Sequence, residues 1–260
     1  MARATFYYHI QQQQKPDKYH SVCQQIDEIF NANMGRYGYR RITMELHNRS
    51  IKINHKTVER LMRENGIKCQ VRLKKYRSYR GREGKIAPNV LERDFKATIP
   101  NRKWVTDVTE FALFGQKRYL SPILDLYNGE IISYTISKRP NLLMVTNMLT
   151  KAIKHIKRDV DVDLVLHSDQ GWHYQHALYQ NELKNNDITQ SMSRKANCLD
   201  NAVMENFFGL LKSELLYLQK FSSIEHFESE LNKYMYYYNN YRIKAKLKGL
   251  SPVMFRTQSN

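Results

Sequence analysis

The stretch that decides the fold reads Trp104-Val105-Thr106-Asp107-Val108-Thr109. Apart from one acid it is apolar and β-branched, which predicts a buried strand that carries a carboxylate. A second apolar run also ends in an acid: Leu164-Val165-Leu166-His167-Ser168-Asp169. Thirty-five residues separate Asp169 from a third acid, Glu205, which lies in a helix-like segment. Three separate segments therefore each present one carboxylate.

These three acids predict a metal site. Carboxylates at strand ends and on a helix cost folding energy, and gathered together they repel and raise one another's pKa unless cations lie between them. Oxygen ligands of this kind suit a divalent ion of the Mg²⁺ type. We therefore interpret Asp107, Asp169 and Glu205 as metal ligands.

The pattern around the acids predicts an α/β fold. Apolar alternation and turn signals indicate three hairpin strands, a helix, a strand, a helix and a strand: 104–114, 118–126, 130–137, 141–156, 164–169, 176–185 and 188–193. Helical spacing assigns the apolar face of the first helix to Leu143, Val145, Met148, Leu149 and Ile153. This order is that of a ribonuclease-H-like sheet, although the pattern itself permits other α/β folds.

The first seventy residues predict three short helices. In the third, His55 to Asn65, Asn54 is the expected N-cap and Gly66 follows the end, with Val58, Leu61 and Met62 facing inward. Lys56, Arg60 and Arg63 would then lie on its exposed face, an arrangement that resembles a DNA-binding helix-turn-helix. A small helical bundle with a solvated charged face is the alternative.

A basic stretch follows the helices. Residues 68–85 hold many cations and one acid, and the candidates for phosphate contact are Arg72, Lys74, Lys75, Arg77 and Arg80. Such a block repels itself without a polyanion, which favours an extended linker that tracks a nucleic-acid backbone over a solubilising tether. We predict a helical region at 1–70, a basic linker at 71–98 and an α/β core at 99–260.

The overall charge indicates a polyanionic partner. The chain has 42 Lys+Arg against 25 Asp+Glu, a formal charge of +17. Residues 1–100 carry a net charge of +12 and residues 101–260 a net charge of +5. The N-terminal part is therefore predicted to bind the polyanion, and the remainder to carry the acids. Three distant cysteines favour a reducing cytosol. With no apolar stretch that approaches a membrane span, we expect a cytoplasmic protein.

The segment around Glu205 predicts a DNA-facing helix. Over 201–218, Glu205 and Lys212 are seven residues apart and share a face, with Gly209 between them. A helix face with a carboxylate at one end, a cation at the other and no side chain between them suits a phosphate backbone that lies along the helix. An exposed Glu and Lys without function is the alternative. A second long helix is expected at 223–241, capped by Ser222 or Ser223.

Together these segments resemble the DDE transposases of the retroviral-integrase-like superfamily. More closely, they are similar to the second-frame protein of bacterial insertion sequences whose transposase is assembled from two overlapping reading frames. The resemblance rests on six stretches that span most of the chain: Arg36-Tyr37-Gly38-Tyr39-Arg40-Arg41-Ile42, residues 100–109, His167-Ser168-Asp169-Gln170-Gly171, residues 200–214, Tyr238-Asn239-Asn240-Tyr241-Arg242 and Leu250-Ser251-Pro252.

The resemblance implies a function and a set of partners. It implies a ribonuclease-H-like integrase core holding two Mg²⁺ ions, with Mn²⁺ able to substitute, on Asp107, Asp169 and Glu205. The activity implied is DNA strand cleavage and strand transfer at insertion-sequence ends. His167, Asn201 and Lys212 would support the site by contacting phosphate or positioning DNA. Implied partners are double-stranded DNA, the first-frame protein and further copies of the chain on DNA.

The chain departs from the family pattern at a few positions. His173 stands where the family usually has Gln and is preceded by Trp172, and Ala196 and Leu199 also differ. None of these changes removes a predicted metal ligand. Three other interpretations remain: a DNA-binding regulator with a catalytically silent core, a decayed transposase copy and a plain ribonuclease-H-like nuclease. The attached basic region and Lys212 favour a transposase over the nuclease.

Overall fold

The computed structural model describes residues 18–71, 86–155, 163–194 and 198–258, together with residue 3. The chain divides into two compact units, Met1–Val71 and Arg72–Asn260. The predicted phosphate contacts of the linker lie outside the described residues: Arg72, Lys74, Lys75, Arg77 and Arg80.

The described part of the first unit, residues 18–71, contains three short helices. They are α1 (His20–Ala32), α2 (Tyr39–Asn48) and α3 (His55–Glu64). Asn54 is the predicted N-cap of α3, and its Oδ1 accepts a hydrogen bond from the Lys56 N–H at 2.8 Å. The predicted inward residues of α3, Val58, Leu61 and Met62, are buried. Four residues of the other two helices are buried as well: Ile26, Ile29, Ile42 and Leu46.

The second unit is built on a mixed sheet. Its strands are β1 (Lys103–Thr106), β2 (Thr109–Leu113), β3 (Gln116–Asp125), β4 (Ile131–Ser137), β5 (Val165–Ser168) and β6 (Thr189–Met192). β3 pairs antiparallel with β1, β2 and β4, whereas β5 pairs parallel with both β1 and β6. The predicted antiparallel meander followed by two strands is therefore confirmed.

The strand predicted over 104–114 is interrupted. The pairs Thr106↔Ile123 and Thr109↔Leu120 lie on one register, so β1 and β2 form a single line along β3 that breaks at Asp107 and Val108. Continued through the gap, this register puts Pro122 opposite Asp107. Because proline has no N–H to donate, the ladder lacks a donor at this point. The break gives Asp107 a backbone that is free of regular strand geometry.

Helices cover both faces of the sheet. They are α4 (Leu142–Ile153), α5 (Ala177–Asn185), α6 (Ala202–Leu211), α7 (Ile224–Asn240) and α8 (Pro252–Gln258). Trp104 packs in one hydrophobic core with residues of α4 and α5, and its neighbour Val105 packs in another with residues of α6 and α7. Since successive strand residues face opposite sides, the two cores lie on opposite faces of the sheet.

Two helix predictions need correction. Leu143, predicted on the apolar face of α4, is 64% exposed, and Met144 is buried in its place. The helix predicted over 201–218 is in fact three pieces: a 3-10 turn Cys198–Asn201, then α6, then a π-helical turn Lys212–Leu216. By contrast, Ser223 caps α7 as one of the two predicted residues, accepting from the His226 N–H at 3.1 Å.

Among the helices of the described residues, none is both long enough and apolar enough to cross a bilayer.

Candidate active site

Strand register brings the first two acids to one edge of the sheet. β1 and β5 run parallel with Val105 opposite His167, and the same register continued by two residues puts Asp107 opposite Asp169. Neighbouring strands lie about 4.8 Å apart. Asp107 stands in the gap after β1, and Asp169 follows the end of β5. Both carboxylates thus leave the carboxyl ends of adjacent parallel strands.

Glu205 joins this pair from the first turn of α6. Burial raises the pKa of the half-buried Asp107 well above its ordinary value, and the carboxylates of Asp169 and Glu205 raise it further. Lys212 acts in the opposite direction and lowers the same pKa. The four side chains, from four different segments, therefore belong to one electrostatic group.

Backbone amides orient the two aspartates. Asp107 Oδ1 accepts the N–H of Val108 at 2.7 Å, and Asp169 Oδ1 accepts the N–H of Gly171 at 2.8 Å. Burial raises the pKa of Asp169, and the Gly171 N–H partly offsets this by lowering it. A Cβ at position 171 would lie 2.9 Å from Asp169 Oδ1, so glycine is required for this close approach.

The three acids suit a metal ion in their chemistry but not in their present spacing. Within the described ranges, no three Asp, Glu, His or Cys side chains stand close enough together to hold an ion as they are. The donors nevertheless have the right chemistry, since carboxylate oxygens suit hard divalent cations and repel one another until a cation lies between them. Beside them, Asn201 Oδ1 is buried and has no hydrogen-bond partner among the described residues. A further buried oxygen is thus left unpaired on a residue whose amide lies 3.5 Å from the carbonyl of Thr106, the residue before Asp107.

Lys212 lies at the edge of this group. It is the first residue of the π-helical turn, half-buried, with Nζ 5.7 Å from the centroid of the Phe111 ring. Burial lowers the pKa of Lys212, while the nearby carboxylates of Glu110 and Asp107 raise it. A Cβ added at Gly209 would meet no atom of the described residues within 4 Å, so the helix surface there is open.

His167 and Asn201, both predicted to support the site, are buried. His167 Nδ1 lies 2.8 Å from Ser191 Oγ and Nε2 lies 3.2 Å from Ser193 Oγ. Burial lowers the pKa of His167 to about 4, so its ring is neutral at pH 7. Fully buried between two hydroxyls, the ring does not reach the surface, where a phosphate would contact it. Asn201 Nδ2 donates weakly to the Thr106 carbonyl, 3.5 Å away.

His173 makes a hydrogen bond to a backbone carbonyl. Its Nε2 lies 2.9 Å from the Pro140 carbonyl, and its ring lies 4.2 Å from that of Trp172, centroid to centroid. Burial lowers the pKa of His173, and the carboxylate of Asp169 raises it. His173 therefore bridges the loop after β5 to the segment that precedes α4.

Sequence reasoning missed two buried acids near the site. Asp200 accepts hydrogen bonds from Arg93 Nε at 2.7 Å and from Arg194 Nε at 2.9 Å, and these guanidinium groups hold its pKa well below the ordinary value. Glu214 forms a buried ion pair with Arg242 Nη2 at 2.7 Å. The available signal was each acid's place beside apolar residues, but nothing local identifies its partner.

In the first unit, α3 presents the predicted basic face. Lys56 and Arg60 are exposed and border a surface groove of about 590 Å³ together with Gly38, Tyr39, Arg63 and Lys68. Arg60 also pairs with Glu64 at 3.0 Å on the same helix. The two residues thus stand where a groove-binding helix needs cations.

Comparison with protein families agrees with this architecture. Residues 20–75 match an HTH-like domain, and residues 97–198 and 205–259 match integrase core domains.

Similar proteins point to the same class. The chain is 56% identical to the putative transposase InsK for insertion sequence element IS150 of Escherichia coli K12, over 99% of this chain and 90% of that protein. It is 33% identical to the transposase InsF for insertion sequence IS3A of the same organism, over 88% and 80%. The HTLV-2 integrase catalytic core domain matches with a TM-score of 0.49 and 19% identity, over 62% and 99%.

The chain belongs to the insertion-sequence transposases that carry an integrase core domain. The predicted transposase family, the integrase core with an HTH-like N-terminal region and the transposase function are thereby confirmed.

Proposed function

We propose that this transposase cleaves and joins DNA strands at the ends of its insertion sequence, with Asp107, Asp169 and Glu205 as the ligands of two Mg²⁺ ions. The observation that carries the proposal is the shared electrostatic environment of the three acids, in which Asp169 and Glu205 both raise the pKa of Asp107. A folded chain that keeps like charges together in this way is suited to a cation.

The reaction would proceed by two in-line substitutions at phosphorus. Divalent cations held by Asp107, Asp169 and Glu205 would stabilise the attacking and leaving oxygens and neutralise the developing charge. Water first attacks the phosphodiester and releases a 3′-hydroxyl, which then attacks a second phosphodiester and displaces its 3′ oxygen. The protein forms no covalent bond to DNA, so a serine or tyrosine nucleophile is unnecessary.

The chain's own residues would orient and hold the DNA at this site. The N–H groups of Val108 and Gly171 donate to one oxygen of Asp107 and of Asp169 respectively. These hydrogen bonds fix the direction of the second oxygen of each carboxylate. Lys212, beside Asp107, would place its ammonium near a phosphate of the strand being cleaved. Asn201 donates to the carbonyl of Thr106, the residue before Asp107, and would hold the backbone in place there.

The N-terminal part would bind the DNA. We propose a DNA-binding region at 1–70 and a phosphate-tracking linker at 71–98 ahead of the catalytic core at 99–260. Lys56 and Arg60 would contact the end DNA. The exposed pair of Arg60 with Glu64 contributes little to stability, so a phosphate could replace Glu64 at small cost. Loss of one phosphate contact in Lys56→Ala should lower the salt slope of binding by about one unit.

We propose two kinds of protein partner as well. The first-frame protein would bind or be fused to this chain, and several copies would assemble on the paired element ends.

The test is strand cleavage and joining on DNA that carries the flanking inverted repeats, with Mg²⁺, with and without the first-frame protein. Asp107→Asn, Asp169→Asn and Glu205→Gln should each lower cleavage on the order of 10³-fold or more, since several kcal/mol of transition-state stabilisation are lost. Binding to end DNA should persist. Asp163→Asn is the matched control, because Asp163 is an exposed acid at the opposite end of β5.

Each result decides between the interpretations. Normal cleavage by any of the three acid variants would remove that residue from the ligand set. End binding without cleavage by the unsubstituted chain, in the presence of its partner, would favour the silent regulator or the decayed copy.

A further inference from the structure

The segment that precedes β1 is held in an unusual conformation. We define the strap as residues 87–93, which follow the basic stretch 68–85 and lie within the predicted linker region 71–98. Leu91 is 3% exposed and packs in the core that contains the α6 residues. Glu92 and Arg93 have φ angles of 46° and 65°, a left-handed region that non-glycine residues rarely adopt. Such strain persists where surrounding contacts fix it, and it gathers near functional sites.

The strap is bonded to the sheet beside β5. The N–H groups of Val90 and Leu91 donate to Ser191 Oγ at 2.9 and 3.1 Å. Because these two bonds occupy both lone pairs of the hydroxyl, its own hydrogen is directed to His167 Nδ1, 2.8 Å away. The strap therefore sets the direction of the hydrogen bond that the buried imidazole receives.

The chain of hydrogen bonds continues to the second acid. With Nδ1 as acceptor, the neutral His167 carries its proton on Nε2 and donates to Ser193 Oγ at 3.2 Å. Ser193 in turn donates to the Ser168 carbonyl at 3.2 Å, and its own carbonyl accepts from Gln170 Nε2 at 3.0 Å. Ser168 and Gln170 are the two sequence neighbours of Asp169, so this series of hydrogen bonds ends on both sides of that acid.

The strap is also bonded to the segment that leads into α6. Asn89 Nδ2 and Arg93 Nε donate to the carboxylate of Asp200 at 3.1 and 2.7 Å. Arg194 donates to the same carboxylate from the loop after β6. Asp200 is 1% exposed and stands five residues before Glu205, in the turn that starts the helix. Its position therefore determines where α6 begins.

We propose that Asn89, Arg93 and Asp200 are positioning residues for strand cleavage, and that the strap fixes the helix of Glu205 relative to the strand end of Asp169. This inference rests on the proposed roles of those two acids. They come from elements that are far apart in the chain. The strap is one segment bonded to the turn before α6 and, through Ser191 of β6 and His167, to β5. Catalytic geometry is sensitive to such a connection, since a misplacement of 1 Å can cost about a hundredfold in rate.

The experiment uses the full chain, its partner and end DNA, with Arg93→Ala and Arg93→Lys. For Arg93→Ala we expect kcat of end cleavage to fall about tenfold, with the KM for end DNA changed by less than about twofold. Arg93→Lys should recover part of the rate, because an ammonium can still pair with Asp200 but lacks the guanidinium geometry. Asn89→Ala should show a smaller loss in the same direction.

A second measurement does not depend on turnover. The Mg²⁺ concentration that gives half of the maximal thermal stabilisation should rise in Arg93→Ala, because a displaced Glu205 binds the ion less well. Lys184→Ala is the matched control, since it removes an exposed cation of the same unit, on α5, that has no proposed part in DNA binding or catalysis. It should leave kcat, KM and the Mg²⁺ response unchanged.

Two outcomes would overturn the inference. A lower Tm with unchanged kcat and Mg²⁺ response would make the strap a purely structural element, and a raised KM with unchanged kcat would make Arg93 a DNA contact. If Arg93→Ala fails to fold, Arg93→Lys and Asn89→Ala give the same comparison. Asp107→Asn is measured in parallel: normal cleavage by that variant rejects the proposed function, whereas its inactivity alongside a fully active Arg93→Ala rejects the strap alone.

Discussion

Asp107 and Asp200 lie in the same unit, yet their carboxyl groups have opposite surroundings. Burial and the neighbouring acids Asp169 and Glu205 raise the pKa of Asp107 well above its ordinary value. The guanidinium groups of Arg194 and Arg93 hold the pKa of Asp200 well below its own. An acid paired with arginines stabilises the fold, whereas acids grouped with acids reduce stability and mark a place for a cation.

A second compensated acid stands close to the site in sequence. Glu214, two residues after Lys212, pairs with Arg242 and accepts a hydrogen bond from Tyr234 Oη at 2.9 Å. All three side chains are buried. This cluster anchors the π-helical turn that carries Lys212, so compensated acids support the position of the uncompensated ones.

The largest effect on stability is expected from Arg242→Ala. It leaves the Glu214 carboxylate buried without its cation, which should lower the free energy of unfolding by about 3–5 kcal/mol. Urea denaturation of the metal-free protein measures this. Lys233→Ala breaks a pair with Glu230 of similar length, 2.7 Å, but Lys233 is 70% exposed, so that loss should stay below about 1 kcal/mol. Equal losses in the two variants would contradict the distinction between buried and exposed pairs.

Lys212→Ala should slow end cleavage about tenfold or more, since a cation aimed at developing charge is lost. The salt slope of end binding should fall by about one unit. Lys212→Arg should restore part of the binding and less of the rate. Lys220→Ala, at an exposed position further along, serves as the control. Unchanged cleavage and salt dependence in both Lys212 variants would show that this lysine has no role in DNA binding or cleavage.

The pH dependence of Asp107 should be that of a destabilising acid. Because its folded pKa is raised, its contribution to stability is complete below the unfolded value of 3.8 and is lost as the pH rises through the folded pKa. In EDTA, the free energy of unfolding should therefore decline as the pH rises above about 4, and Asp107→Asn should decline less and be more stable at pH 8. Denaturation series across pH measure the slope. A steeper decline in the variant would refute this.

Asp200 should behave in the opposite way. With a lowered folded pKa, it stabilises the protein above the unfolded value of 3.8, and this contribution is lost as the pH falls below that value. Asp200→Asn should thus be less stable at pH 7 and respond less to acid below about pH 4. The same denaturation series test this, and a gain of stability at pH 7 would argue against the ion pairs.

The smallest effect is expected from Gly209→Ala. The new Cβ meets no described atom within 4 Å, and alanine favours the helix by about 0.5–1 kcal/mol, so the protein should become slightly more stable. End cleavage should fall nevertheless if a DNA backbone lies along this face. Thermal unfolding and the cleavage assay separate the two effects. Full activity in a stabilised variant would mean that the DNA does not approach Gly209.

Local signals predicted most of the secondary structure. Asn54 and Ser223 cap their helices as predicted, because an N-cap needs only a side-chain oxygen next to the first free N–H groups. Helical spacing correctly identified Val58, Leu61 and Met62 as buried. The stretch over 104–109 predicted a strand with an acid in it, and the structure agrees except for the gap at Asp107.

The errors arise where a distant residue decides the local structure. The hydrogen-bond ladder breaks at Asp107, because the residue opposite it in the strand register is Pro122 of another strand, β3. Leu143 has the spacing of a core residue but is exposed, because the packing of α4 on the sheet buries Met144 instead. The end of α6 at Leu211 coincides with the buried pair of Glu214, whose partner is twenty-eight residues away.

By itself, the sequence determined the residue types and their spacing: three acids in three apolar or helical settings, a cation seven residues after the last, and a basic N-terminal hundred residues. These features are local, and they were sufficient to identify the family. Tertiary structure alone decided which charges compensate one another. Arginines from the strap and from a loop neutralise Asp200, while parallel strand register carries Asp107 toward Asp169. A carboxylate's pKa depends on burial and on charges within a few ångströms, and chain folding alone sets those distances.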